Sequence, residues 1–235
     1  MARFVLIHGS CHGAWCWRDV IPELQALGHE AKAIDLPSHG ADTTPAADVT
    51  LDLYARAIVA ALDAPSIVVG HSMAGFPISR AAELDPSHIA RLVYLCSYIP
   101  WPGLGLADQR RKAPRQPLAE AFQVAPDRIT MGFDPSMAQD KFYHDCPEAV
   151  DYALQNLCPQ PILPQETPAD LGANYASVAR SYITCDDDRA IPPEFQREMA
   201  TALPECDRYS LPSSHSPFFS MPDRLAALLH QIAQT

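Results

Sequence analysis

The chain has 235 residues, with 23 prolines and 10 glycines, and its 17 Lys and Arg against 28 Asp and Glu leave a formal charge of −11. Such a field repels nucleic acid and anionic membranes, so a neutral or apolar small molecule is the fitting ligand. Proline at about twice its ordinary frequency does not signal disorder, because 48% of residues are apolar and only 19% charged. The length suits one domain whose core needs no disulfide staples.

Seven cysteines, Cys11, Cys16, Cys96, Cys146, Cys158, Cys185 and Cys206, are odd in number and scattered. The N-terminus enters a strand-like run, Phe4-Val5-Leu6-Ile7, without the features of a secretory signal. Reduced thiols in a cytoplasmic protein are the simplest expectation. No apolar stretch approaches the ~20 residues that span a bilayer, so no membrane partner is expected, and a homodimer is left open.

Short β-rich runs alternate with helical patterns through the first hundred residues, the signature of βαβ units and a parallel sheet. After Phe4–Ile7, the residues Trp17, Val20, Ile21, Leu24 and Leu27 recur at helical spacing up to Gly28. Ala31–Asp35 is the second predicted strand. Thr50 is placed to cap a helix whose buried face carries Leu51, Tyr54, Ala55, Ile58 and Leu62. Ser66–Val69 is a strand apolar enough to be covered on both faces. A helix from about Met73 to Leu84 follows, then the strand Leu92–Leu95.

Between Pro100 and Pro168 the alternation stops, and 11 of the 23 prolines fall there. The segment also holds the basic run Arg110-Arg111-Lys112 and two short helical patterns, Met137–His144 and Pro147–Leu157. Its apolar residues need something to pack against, so it reads as a folded cap inserted into the core rather than a loose surface loop. The expected division is a core of residues 1–99 and 169–235 with a cap or lid of residues 100–168. The α/β rhythm then resumes: strand Arg180–Thr184, a helix carrying Phe195, Met199 and Leu203, strand Asp207–Leu211, and a last helix carrying Leu225, Leu228, Leu229 and Ile232.

The strongest chemical signal is Gly70-His71-Ser72-Met73-Ala74-Gly75, set between an apolar strand and a helix. A serine on so sharp a turn needs small neighbours two before and two after, and Gly70 and Ala74 meet that need, although glycine is usual where Ala74 stands. The turn lifts the Ser72 hydroxyl above the sheet and sets the Met73 amide at a helix start, where it can stabilise an oxyanion. Such a serine needs a base and an orienting carboxylate, in the chain order Ser, acid, His. Asp186, Asp187 and Asp188 all follow the next-to-last strand, and chemistry alone does not separate them. Asp188 is chosen because its spacing from Pro192 leaves Arg189–Ile191 to turn the chain into the next helix. Of nine histidines only His215 lies after the last strand and before the final helix, whereas His230 sits within that helix on its polar, solvated side.

A second rich segment, His8-Gly9-Ser10-Cys11-His12-Gly13-Ala14-Trp15-Cys16-Trp17, follows the first strand. His8, Cys11, His12 and Cys16 match no closed Cys/His spacing, so no metal is expected. Neither Gly-rich phosphate fingerprint is present, and no cofactor is implied. The segment reads instead as the loop whose Ser10 amide is the second oxyanion donor, with Gly9 permitting close approach.

On these segments, together with the Gly28-His29 turn and the run Asp188–Gln196, the sequence resembles the α/β-hydrolase superfamily. The closest resemblance is to the branch of plant hydroxynitrile lyases and methylesterases with their bacterial carboxylesterase relatives, pyrethroid hydrolases among them. The resemblance implies an α/β-hydrolase fold of about six mainly parallel strands with helices on both faces. It implies Ser72, Asp188 and His215 as triad, Ser10 and Met73 as oxyanion donors, and 100–168 as a lid over an acyl pocket. It also argues against lyase activity, since those lyases carry threonine where Gly9 stands and lysine where Ser216 stands. The expected activity is cofactor-free hydrolysis of neutral, hydrophobic carboxylic esters through an acyl-enzyme. A ligand-binding receptor or a cofactor-free oxygenase on the same fold is the alternative. Gly9, His12, Trp101, Phe122, Met131, Phe133, Phe142 and Tyr143 are the expected pocket residues, with simple packing the competing role for most of them.

Overall fold

The computed structural model describes all 235 residues, Met1–Thr235. In chain order the first half contains β1 (Arg3–Ile7), α1 (Val20–Ala26), β2 (Glu30–Ile34), α2 (Leu51–Ala60), β3 (Ser66–His71), α3 (Gly75–Leu84) and β4 (Ile89–Leu95). The irregular middle contains α4 (Leu106–Arg110), β5 (Phe122–Val124), β6 (Thr130–Phe133), α5 (Ala138–Phe142), α6 (Val150–Asn156), β7 (Gln160–Pro161) and α7 (Leu163–Glu166). The last part adds α8 (Ala173–Ser177), β8 (Ala179–Cys185), α9 (Pro193–Ala200), β9 (Arg208–Leu211), α10 (Pro217–Ser220) and α11 (Pro222–Ile232).

Six strands form one parallel sheet in the order β2-β1-β3-β4-β8-β9. Because side chains alternate across a strand, each interior strand feeds two cores. Val5, Ile7, Val68, Leu92, Tyr94 and Tyr182 face the core covered by α2, α3, α8 and α9. Phe4, Leu6, Val69, Val93, Leu95 and Ile183 face the opposite core under α1, α10 and α11. Burial on both faces explains the unbroken apolar runs, and each fully buried Leu, Ile or Val is worth roughly 1.5–3 kcal/mol.

Local signals set the helix ends. Thr50 Oγ1 accepts the Leu53 N–H at 3.1 Å, capping α2 as expected. α1 ends where Gly28 adopts φ +83°, with Gly28 N–H on the Gln25 carbonyl at 2.9 Å and His29 N–H on the Leu24 carbonyl at 3.1 Å. That pair of bonds is the left-handed glycine cap, and it leaves Leu27, predicted on the buried face, 42% exposed.

The segment 100–168 is folded, as its apolar content requires, yet it contains an element the periodicity does not reveal. β5, β6 and β7 form a small antiparallel sheet. Pro161 sits in β7 at its edge, a position that does not require the N–H proline lacks. Both predicted helical patterns are present, as α5 and α6 with a 3-10 turn before each. No helix is long and apolar enough to cross a membrane.

Chain packing at the top of β3 leaves no room for a side chain at Gly75, where a Cβ would lie 2.0 Å from the Tyr98 carbonyl oxygen and 2.5 Å from Ser97 Oγ. Gly75→Ala is therefore expected to lower unfolding free energy by about 1–3 kcal/mol or more in urea titration. Gly132→Ala, where a Cβ meets nothing within 4 Å, is expected to stay within about 0.5 kcal/mol. Equal effects would contradict this packing.

Candidate active site

The loops after β1, β3, β8 and β9 meet at the carboxyl ends of the strands, beside the point where the chain reverses direction across the sheet from β1 to β3. Ser72 follows β3 at φ +55°, a left-handed backbone uncommon for serine. Close packing sustains it. A Cβ on Gly70 would lie 2.7 Å from Ile78 Cδ1 and 3.1 Å from the Ala74 carbonyl oxygen, so any side chain there would push Ile78 and the turn apart. The Ser72 carbonyl accepts Ser97 Oγ–H at 2.5 Å and Tyr98 N–H at 3.2 Å, which pins the turn to the segment after β4.

His215 connects this serine to a buried carboxylate. Its Nε2 lies 3.0 Å from Ser72 Oγ and its Nδ1 lies 2.7 Å from Asp188 Oδ2. The three adjacent aspartates have separate fates. Asp186 pairs with Arg197 at 2.6 Å, and the exposed Asp187 pairs with His144 at 2.9 Å. Asp188 is 4% exposed, and its Oδ1 accepts the N–H groups of Ala190 at 2.6 Å and Ile191 at 2.9 Å. Its Oδ2 also accepts Gln196 Nε2–H at 2.7 Å. A carboxylate fixed by four donors points in one direction, and so fixes the imidazole it meets.

Gln196 and His71 are two positioning groups that sequence reasoning missed. Gln196 is fully buried on α9, accepts the Cys185 N–H at 3.0 Å and donates to both Asp188 and the Ile191 carbonyl. The available signal was an amide on the same helix face as Met199 and Ala200, which are buried. His71 lies 2.8 Å from the carbonyl oxygen of His215 through Nε2, where an N–H donates, and thereby ties the histidine loop to the serine turn. His71, Cys96 and His215 bring possible ligand atoms within 4.8 Å of one another, but both nitrogens of His215 are engaged by Ser72 and Asp188.

Gly9 lies against Ser72. A Cβ there would sit 2.9 Å from Ser72 Cβ and 2.7 Å from His71 Nδ1, so the bare backbone brings the loop after β1 up to Ser72. Ser10 Oγ accepts Gln165 Nε2–H at 2.8 Å, and the Cys11 carbonyl accepts Cys158 N–H at 2.9 Å. Both donors come from the 100–168 segment, which therefore braces this loop. His8 and His12 are already engaged by the protein. His8 Nε2 accepts the Leu36 N–H at 3.1 Å, and His12 bridges the Ser10 carbonyl and Tyr143 Oη, each at 2.8 Å. Burial pushes the Cys11 and Cys16 thiols up, away from the thiolate a metal would need.

A narrow chamber of ≈ 30 Å³ opens over Ser72 and His215. Of the expected pocket residues, His12, Phe122, Met131, Phe133 and Phe142 line it, and Ser10 and Met73, expected as oxyanion donors, also face it. Three expected pocket residues do not. Trp101 turns away to pack edge-on against Phe195 with ring centroids 5.5 Å apart. Tyr143 is fully buried behind the chamber as the partner of His12. Gly9 lies beneath the serine rather than in the wall. Tyr98, Leu106, Arg110, Leu118, Gln165 and Ile191 complete the lining and were not anticipated, since only the folded segment brings them together. His230, read as solvated, is half-buried with its Nδ1 2.8 Å from His29 Nε2.

The buried imidazoles around the site have a cost at low pH. Burial, opposed by the hydrogen bond to Ser10, holds His12 down to about 4. Burial and neighbouring histidines hold His8 and His71 well below the ordinary imidazole value. In the unfolded chain these groups titrate near 6.5, so the unfolded state takes up protons first as pH falls. Their contribution to stability is fully present above about 6.5 and is lost progressively toward about 4, at roughly 1.4 kcal/mol per pH unit per group. Tm followed by differential scanning fluorimetry is expected to fall steadily from pH 6.5 to pH 4.5; a flat profile would contradict neutral burial.

Known proteins resemble this chain over nearly its whole length. A family model described as the alpha/beta hydrolase family matches residues 4–228. Methylesterase 7 of Arabidopsis thaliana is 31% identical over 98% of this chain and 96% of its own length. Esterase PIR7B of Oryza sativa subsp. japonica is 31% identical over 98% of this chain and 95% of its own. Among solved structures, a pyrethroid hydrolase from Sphingobium faniae JZ-2 is 28% identical, covers 100% of this chain and 98% of its own, and superposes with a TM-score of 0.86. Polyneuridine aldehyde esterase, at 24% identity, shares the fold with a TM-score of 0.87 over 99% of both chains. The chain belongs to the alpha/beta hydrolase family, among its serine-type carboxylic ester hydrolases.

Proposed function

We propose that the chain hydrolyses carboxylic esters that are apolar next to the scissile bond, using Ser72, His215 and Asp188. One observation supports this above the others: the continuous hydrogen-bonded line from Ser72 Oγ through the His215 ring to the buried Asp188, ending in a mostly apolar chamber. Ser72 Oγ attacks the ester carbonyl carbon while His215 Nε2 takes its proton. Asp188 keeps the other ring proton on Nδ1 and stabilises the imidazolium. The amides of Ser10 and Met73 hold the oxyanion, and His215 returns the proton to the departing alkoxide. Water, deprotonated by the same histidine, then attacks the acyl carbon and restores Ser72 as the acid leaves. The segment 100–168 serves as the lid, since it supplies Phe122, Met131, Phe133 and Phe142 to the chamber wall.

That methyl esters are among its substrates is inferred from the relatives, several of which bear the name methylesterase. A lyase reading has no support, because Gly9 has no space for a hydroxyl-bearing side chain and Ser216 is buried rather than cationic. Receptor and oxygenase readings are disfavoured by the hydrolytic names of the relatives.

Ser72→Ala is expected to lower kcat/KM on p-nitrophenyl acetate by roughly 10³-fold or more, with its melting temperature close to that of the wild type. Hydrolysis by the variant at the wild-type rate would overturn the assignment.

A further inference from the structure

The chain is strongly acidic, but the approach to its chamber is not. Next to the ≈ 30 Å³ chamber lies a wider pocket of ≈ 380 Å³, and the two share Arg110, Phe122, Met131 and Gln165 as walls. The outer pocket also carries Arg111 and Arg128, against Glu166 as its one acid. Arg111 is committed to Asp108 at 2.6 Å. Arg110 has no such partner. Hydrogen bonds around it reach its backbone carbonyl, from Ala113 N–H and Gln116 Nε2, and none of its guanidinium donors meets a protein acceptor. The guanidinium carbon sits 4.0 Å above the centre of the Phe122 ring, which holds the cation in place without satisfying its hydrogen bonds.

Half-burying a cation with no ion-pair partner is unfavourable, and Glu166, the one acid of the pocket, makes no ion pair with it. The titratable neighbours that act on Arg110 are Tyr98 and Arg111, and burial lowers its affinity for the proton. A planar guanidinium with free donors, fixed on an aromatic face beside a nucleophile, has the geometry for bidentate capture of a carboxylate. The repulsion from a net charge of −11 is screened beyond about 8 Å at physiological salt, so the arginines dominate inside the mouth.

We infer that, among the esters this site hydrolyses, those carrying a carboxylate remote from the scissile bond are preferred, with Arg110 as the group that holds it. This rests on the proposed esterase activity and names its substrate class: a monoester of a dicarboxylic acid, or an ester whose alcohol half bears the acid.

The test compares three series of matched length on wild type and Arg110→Met: monomethyl esters from succinate to suberate, O-acetyl hydroxyalkanoates, and neutral methyl alkanoates. At the best-fitting length, wild-type kcat/KM on an anionic series is expected to exceed the neutral one at least about tenfold, and the series that shows it identifies the half carrying the acid. Arg110→Met is expected to lower that value roughly 10- to 100-fold, mainly through KM, and to lower the ratio of anionic to neutral kcat/KM at least about tenfold. Turnover of neutral esters reports that the variant is folded and that the esterase reading stands, whatever Arg110 does. Binding of the corresponding dicarboxylates, read by thermal shift, tests the arginine without turnover: wild type and Ser72→Ala should be stabilised and Arg110→Met should not. A wild type that favours neutral esters at every length, or a variant that loses neutral and anionic substrates equally, would overturn the inference, as would dicarboxylate binding that survives in Arg110→Met.

Discussion

The left-handed backbone at Ser72, φ +55°, is the constraint on which the site depends. A side chain at that angle is paid for by its surroundings, and here the surroundings can be named. Gly70 lets Ile78 and the Ala74 carbonyl close in, Gly75 lies against the Tyr98 carbonyl, and Gly9 lies against Ser72 itself. Ser97 and Tyr98 then hold the Ser72 carbonyl from the far side. These contacts come from the chain after β1, β3 and β4, so the turn exists only when the central strands are in register. The same register carries the loops after β8 and β9 to the serine, and the 2.7 and 3.0 Å contacts of His215 follow from it.

Around that turn the polar groups form layers, each orienting the one inside it. Gln196 and two backbone amides aim Asp188, Asp188 aims His215, and His71 ties the carbonyl of His215 back to the serine turn. On the other side, Gln165 and Cys158 reach from the inserted segment to the loop after β1. The inserted segment and the loop after β1 are thus joined by hydrogen bonds as well as by packing. The proline excess fits this architecture. Pro135, Pro147, Pro164, Pro193, Pro217 and Pro222 open short helices or 3-10 turns, where a fixed φ and a missing N–H do no harm.

The sheet and its helices were legible because burial on both faces leaves continuous apolar runs such as Ile67-Val68-Val69 and helical faces such as Leu51, Tyr54, Ala55 and Ile58. The order of serine, acid and histidine was legible for a similar reason, since each must follow a strand. The small sheet was not: its strands are three, four and two residues long, and Gln160 and Pro161 pair with Met131 and Thr130 far back in the chain. Pocket membership was only partly legible, because aromatic content does not say which way a ring turns. Phe142 reaches the chamber, the neighbouring Tyr143 is buried behind it, and Trp101 packs on Phe195. Arg110 was visible only as part of a basic run, and its lack of a partner appears only when α4 is set against Phe122.

The central claim is that Ser72 is the one nucleophile activated by this arrangement. Labelling the intact protein with a fluorophosphonate, followed by peptide mapping in the mass spectrometer, tests it most directly. One adduct per chain, on the peptide containing Ser72, and its loss in His215→Ala are the expected results. An unlabelled Ser72, or a stoichiometric adduct on Ser10, Ser216 or Cys11 instead, would contradict the account.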